Sequence, residues 1–308
     1  MKEKETVTKE DVGALTPVDS GAAALALMNA ELAGYEAGIG TDFSPTEIGL
    51  PFLKVLQSNS PEVKEEVPER YVEGAKPGMV INTITKRLYD VRQLQGKPEP
   101  APIPVVFADR FSKRDTEWRP DRGGFAGKHH PPNTLKFKED VDGEGKTVRR
   151  IANGNVLIET DYHFPIILEN DPDDLKRYQL GMSSSQLTPS REISNFVNEF
   201  KVPAPPGFMI VNPNDPTGPK IPAPVGHKIH PPIFFMVFAL RTKTKTKDQN
   251  TWWVWDAKFV GLTTEVMSAN PGVVKMVHAA AKSYYDDIRA DKVLIVPPTE
   301  DVKQDVPF

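Results

Sequence analysis

Arg241, Lys243, Lys245 and Lys247 alternate with Thr242, Thr244 and Thr246. Alternate side chains of a strand share a face at a spacing of about 6.6–6.8 Å, so these four cations form a ladder if the segment is extended. A polar break, Asp248-Gln249-Asn250, precedes Thr251-Trp252-Trp253-Val254-Trp255, which holds three of the chain's four tryptophans. Charges for phosphate and rings for unpaired bases are what a surface for single-stranded nucleic acid requires. Two registers are open. A three-residue loop sets Lys247 opposite Thr251, Lys245 opposite Trp253 and Lys243 opposite Trp255. A two-residue loop sets Lys247 opposite Trp252 and Lys245 opposite Val254. The competing explanation is an edge hairpin whose lysines discourage strand-to-strand association while its tryptophans fill the core.

A second candidate surface runs from Arg110 to Lys128. Arg110, Phe111, Lys113, Arg114, Trp118, Arg119, Arg122 and Lys128 interleave there with Asp109, Asp115, Glu117 and Asp121. Such mixed charge equally describes a solvated loop. Gly123-Gly124-Phe125-Ala126-Gly127-Lys128 lacks the spacing of a phosphate-binding loop, which argues against nucleotide hydrolysis. His129 and His130 are neighbours, so a strand sends their rings apart, and His227 and His230 fall in a proline-rich tract. Without cysteine, zinc would need histidines and carboxylates at defined spacing, and none shows. Ser183-Ser184-Ser185 lacks a glycine elbow. No metal, no cofactor and no catalytic constellation is expected.

The elements that must position these residues are mostly strands. Residues 52–57, 78–85, 87–94, 103–107 and 155–168 read as strands, as do Tyr178, Leu180 and Met182 by alternation, with 103–107 extending through 111–118. Residues 140–146 read as a charged hairpin tip. Thr188 and Pro189 open a helix with Ile193, Phe196, Val197 and Phe200 on one stripe. Residues 202–232 carry ten prolines and predict a long crossing loop, with a brief strand at 208–211. The apolar run 233–240 predicts a central strand covered on both faces, the ladder being its continuation out of the core. Asn270-Pro271 caps a last helix carrying Val277, Ala280, Ala281, Tyr284 and Ile288 on one face, and 293–296 closes with a short strand. The expected fold is mainly β with minor α: an elaborated OB-fold-like antiparallel barrel with long Pro-rich loops, one embedded helix and a C-terminal helix. Residues 46–298 form that domain, after a disordered 1–19 and a short helical segment at 20–45.

The chain has 308 residues, no cysteine, 30 prolines and a net charge of −4. That length holds one large or two ordinary domains. No apolar run reaches the length of a membrane helix and no apolar segment directly follows the charged start, so a cytoplasmic protein is expected. The modest net charge hides an uneven distribution. Residues 97–152 carry 12 basic and 9 acidic side chains, whereas 286–308 carry 3 and 6. The acidic end, 299–308, closes with Asp305-Val306-Pro307-Phe308. A terminal carboxylate beside a large ring fits a partner pocket that takes the ring and clamps the carboxylates with arginine or lysine.

That tail resembles the Asp-Ile-Pro-Phe tip of bacterial single-stranded-DNA-binding proteins. Leu50-Pro51-Phe52-Leu53-Lys54-Val55-Leu56-Gln57, Ser183-Ser184-Ser185-Gln186-Leu187 and the tryptophan hairpin are similar to phage single-stranded-DNA-binding proteins. A single Asp directly precedes Val-Pro-Phe, with Lys303 nearby, so this tail is less acidic than that family's. The resemblance implies a non-catalytic protein that coats single-stranded DNA in replication, recombination or repair and recruits partner proteins through Asp305, Val306, Pro307 and Phe308. Arg241, Lys243, Lys245 and Lys247, helped by Arg110, Arg119 and Lys128, would hold phosphate. Trp252, Trp253, Trp255, Trp118 and Phe111 would meet bases. The rival expectation is a virion or scaffolding protein whose tail is an assembly peptide.

Overall fold

A computed structural model of the chain describes residues 50–290 and 293, save 95, 99, 121–124, 143, 144, 146, 169–174, 214, 216 and 248. The expected N-terminal helical segment and the acidic tail lie outside the described residues, as does most of the expected strand at 293–296.

The protein is mainly β, with antiparallel sheets and few helices. Strands β1 (Leu53–Val55), β2 (Val80–Asn82) and β3 (Leu88–Tyr89) form one sheet. They are followed by β4 (Ile103–Phe107), β5 (Ser112–Trp118), β6 (Phe125–His130), β7 (Lys138–Val141), β8 (Thr147–Arg150), β9 (Val156–His163), β10 (Pro165–Ile167) and β11 (Leu180–Ser183). Helix α1 (Leu187–Glu199) precedes four short strands, β12 (Val202–Pro203), β13 (Met209–Ile210), β14 (Ile221–Pro222) and β15 (Lys228–Ile229). The long strands β16 (Met236–Lys247) and β17 (Asn250–Leu262), then α2 (Thr263–Val266) and α3 (Pro271–Arg289), complete the described chain.

Backbone pairing closes on itself. The β1-β2-β3 meander passes to β16 through a parallel bridge between Arg92 and Thr242, where the Thr242 N–H donates to Val91 O and the Gln93 N–H to Thr242 O. The order then runs β16-β4-β10. Ile166 of β10 bridges Arg177, and Gln179, two residues on, pairs in parallel with Phe52 beside β1. Closure gives the strands of the ring neighbours on both sides, while β17 lies outside it as the outer strand of its sheet. One buried cluster draws on every part of this ring, from Leu53, Val80 and Val91 to Val105, Ile166, Tyr178 and Leu240. Each fully buried Val, Leu, Ile or Phe stabilises by roughly 1.5–3 kcal/mol.

Residues 177–183 tie the ring to a second layer, because β11 pairs with β9 of a sheet ordered β6-β5-β9-β8-β7. Helix α1 spans the two. Ile193 and Val197 are buried, and the Phe196 ring lies 4.7 Å from Phe259 and 6.0 Å from Phe238. It begins at Leu187 rather than beyond Thr188, because a 3-10 turn at Ser184–Gln186 leads straight into it.

Two expectations need correction. Residues 233–235 form a 3-10 turn, so β16 starts at Met236. The proline-rich tract is a two-stranded arm rather than an irregular loop. β12 pairs β15 and β13 pairs β14, with Ala204 N–H donating to His227 O and Ala223 N–H to Phe208 O. Its opposed turns put Gly207 and Gly226 at φ +78° and +81°, and proline is tolerated because a two-stranded ribbon has an outer edge whose N–H groups need no partner.

Candidate nucleic-acid interface

The ladder is extended along its whole length, and its register follows from the pairing of β16 with β17. Lys247 pairs with Asn250, Thr246 with Thr251, Lys245 with Trp252, Thr244 with Trp253, Lys243 with Val254, Thr242 with Trp255 and Arg241 with Asp256. Neither sequence register holds. Pairing from Asn250, the first residue of β17, slides every tryptophan by at least one position.

Period-two alternation then divides the side chains. Arg241, Lys243, Lys245 and Lys247 share one face with Trp252, Val254, Asp256 and Lys258. The opposite face takes Thr242, Thr244, Thr246, Trp253 and Trp255. On the first face Lys243 Nζ lies 2.5 Å from Asp256 Oδ1, Lys258 Nζ lies 4.0 Å from Asp256 Oδ2, and Gln93 Nε2 donates to Oδ2 at 3.1 Å. Asp256 is the single carboxylate among these residues, and it is buried. Lys245 and Lys247 make no ion pair among the described residues. Five cations against one carboxylate give this face a surplus of four. Lys258 escaped the sequence analysis, although it sits at two-residue spacing from Asp256.

Three of the tryptophans expected to meet bases do something else. Trp255 is 1% exposed and backs the core. Trp253 packs over Gly78, whose φ of +86° and missing Cβ make room for the indole. Trp118 is buried in the other sheet. Their large apolar rings stabilise most when removed from water. Trp252 alone of the hairpin's rings lies on the cationic face, half-buried and opposite Lys245.

Two glutamines hold this hairpin against the ring. β17 is the outer strand of its sheet, and its outward backbone groups would otherwise be unpaired. Gln57 accepts from Trp253 N–H at 2.9 Å and donates to Trp253 O at 2.9 Å. Gln186 accepts from Trp255 N–H at 3.0 Å. Thr242 Oγ1 donates to Gly78 O from the opposite strand. Gln57 ends the first motif named above and Gln186 lies in the second, so both converge on the third, the tryptophan hairpin. Sequence separation hid that convergence.

The second candidate surface belongs to the other layer, on β5, β6 and the turns around them. Arg110 is exposed and donates to Asn198 Oδ1 of α1 at 2.5 Å, and the half-buried Phe111 ring lies 5.9 Å from His163. Arg119 and Lys128 are exposed. Lys113 pairs with Glu159 at 2.8 Å. Between them lie polar groups already used internally. Asp115 binds Arg149 Nη2 at 2.8 Å and the Asn133 N–H at 3.0 Å. Burial pushes the Glu117 carboxyl up, but donation from Asn155, Asn153 and His130, with Lys128 nearby, outweighs it and holds the group below the usual carboxylate range. His130 and His129 do diverge, His129 Nδ1 facing Tyr162 Oη at 3.2 Å. Burial, then Arg114 and His130, lowers the His129 value to about 4. His163 is buried against Ser190 Oγ at 2.9 Å, which donates to Asp161 Oδ2 at 2.6 Å. Serine therefore stands in the middle of this trio, where a hydrolase needs the histidine. No group of three His, Asp or Glu suited to a metal occurs among the described residues.

Residues 20–293 match the family model described as Pam3 phage gp34-like protein. The chain belongs to this phage protein family. No curated protein and no solved structure matches it. The matched span contains the whole ring, the hairpin and the second layer. No helix among the described residues is long and apolar enough to cross a membrane.

Proposed function

We propose that this phage protein binds single-stranded DNA without chemistry, coating it in replication, recombination or repair. One observation carries the proposal: Arg241, Lys243, Lys245, Lys247 and Lys258 share a strand face with Trp252, and the one carboxylate there is already engaged by Lys243. Phosphates would track the cation rows of β16 and β17, and a base would stack on Trp252. A stacked base contributes roughly 1–3 kcal/mol and tolerates any sequence, because every base has a π-face. The closed pairing ring with its three-strand meander supports an OB-like barrel as the scaffold. Asp305, Val306, Pro307 and Phe308 would recruit partner proteins of the same process.

A gel shift with single-stranded, double-stranded and RNA probes across a salt series tests the proposal. Preference for the single strand, with affinity falling steeply as salt rises, is expected. No shift at low salt sinks it and leaves the assembly-protein alternative, for which the exposed Met209, Val211 and Val225 of the arm are the available contacts. Deleting residues 305–308 should abolish partner capture while keeping or raising DNA affinity. Weaker DNA binding after deletion would contradict that role.

A further inference from the structure

Phe137 is the one aromatic residue among the exposed large hydrophobics of the described chain, at 37% exposure. It has an unusual support. The segment 131–137 leaves β6 at one edge of the second sheet and reaches β7 at the other. A turn opens the crossing, with Asn133 at φ +59° and both the Thr134 N–H and its hydroxyl donating to Pro131 O. On the way the Asn133 N–H is pinned to the buried Asp115. Arg149, held by the same carboxylate at 2.8 Å, lies 5.3 Å from the Phe137 ring centroid. A guanidinium beside an aromatic ring attracts it through the ring quadrupole. The ring is thereby held beside Arg149 at the surface instead of folding into the core.

The surrounding charge is mixed, with Lys136, Lys138, Arg149 and Arg150 against Asp115, Glu139 and Asp140. Lys136 and Lys138 flank Phe137 in sequence, are exposed and make no ion pair among the described residues. Asp140 is taken by Arg150 at 2.8 Å, and Glu139 stands opposite Arg149 across the β7–β8 pairing. An exposed, braced ring between two uncommitted lysines matches the combination of base face and phosphate charge that single strands require. We propose that Phe137 is a second stacking platform for single-stranded nucleic acid, with Lys136 and Lys138 holding the flanking phosphates. It rests on the nucleic-acid-binding function proposed above and adds a contact on the second layer, away from the β16–β17 hairpin.

The test uses the full-length protein and a long oligo-dT carrying 5-iodouracil, comparing wild type with Phe137→Leu, Phe137→Tyr and Lys245→Ala/Lys247→Ala. Phe137→Leu keeps an apolar side chain but no ring, and Phe137→Tyr keeps the ring. Photocrosslinks to the peptide containing Phe137, binding weakened roughly 5- to 150-fold in Phe137→Leu, and recovery in Phe137→Tyr are expected. Normal binding by Phe137→Leu, in a wild type that does bind, overturns the platform and leaves the hairpin interface standing. Binding lost in Phe137→Leu but unchanged in Lys245→Ala/Lys247→Ala supports the platform and overturns the hairpin. Absence of wild-type binding overturns both.

Discussion

Replacing Lys245 and Lys247 by alanine removes the two ladder cations without ion pairs, at exposed or half-buried positions where the fold needs no charge. The expected effect follows from counterion release. The hairpin face has a surplus of four cations once Asp256 is set against Lys243. If each neutralises one phosphate of a single strand, the slope of log K against log salt is about −2.8, and the double variant lowers it to about −1.4. Between about 50 and 200 mM salt, wild-type affinity should then fall roughly 50-fold and that of the variant only roughly 7-fold. Fluorescence anisotropy of labelled oligo-dT, titrated at four or more salt concentrations, reads both slopes. Trp252→Ala is the control. It should weaken binding by roughly 1–3 kcal/mol at every salt concentration with little change in slope, because a ring releases no counterions. Identical slopes for wild type and the double variant would refute the assignment of phosphate contacts to this face.

Other consequences concern the parts that hold the hairpin. Gly78→Ala would place a methyl inside the Trp253 indole at a backbone angle of +86°, so a loss on the order of 2–4 kcal/mol in urea unfolding is expected; wild-type stability would contradict the close packing. Gln57→Ala leaves both backbone groups of Trp253 without this partner, at a cost of about 1–3 kcal/mol. Faster hydrogen exchange at the Trp253 amide is its signature, and unchanged exchange would show that the clasp is idle. His163 responds to acid. Burial lowers its value to about 4, against about 6.5 when unfolded, so only the unfolded chain takes up the proton between those limits. The contribution of His163 is therefore fully present above pH 6.5, and roughly 3 kcal/mol of it is lost on acidification to pH 4. Burial raises the neighbouring Asp161 carboxyl, which acts in the opposite sense in the acid part of that window. His129, lowered to about 4 as well, gives a slope of the same sign that remains in His163→Leu, so a slope in the variant as steep as in wild type would refute the contribution of His163.

The class of fold was legible from local pattern. Alternation and proline content pointed to antiparallel strands, and the stripe of Ile193, Phe196, Val197 and Phe200 located α1, because such periodicities are properties of neighbouring residues. The arm was missed since ten prolines argue against a sheet interior but not against a two-stranded ribbon. The 3-10 turn at 233–235 was hidden inside an apolar run, because burial demands hydrophobicity of a turn and a strand alike. The buried network around Asp115, Glu117, His129 and His130 could not be separated from a solvated charged loop, since the same residue types serve both.

At the interface, alternation alone puts Arg241, Lys243, Lys245 and Lys247 on one face, because the period of a strand is a property of its backbone. The sequence also places three tryptophans on the strand that returns. Which ring joins the cations depends on contacts far away in the chain. The pairing of β16 with β17 set the register, Gly78 opened a slot for Trp253, and Gln57 and Gln186, distant in sequence, pinned β17 beside the ring. A one-residue slip exchanges the two faces of a strand, and the contacts that forbid the slip lie up to 196 positions away along the chain.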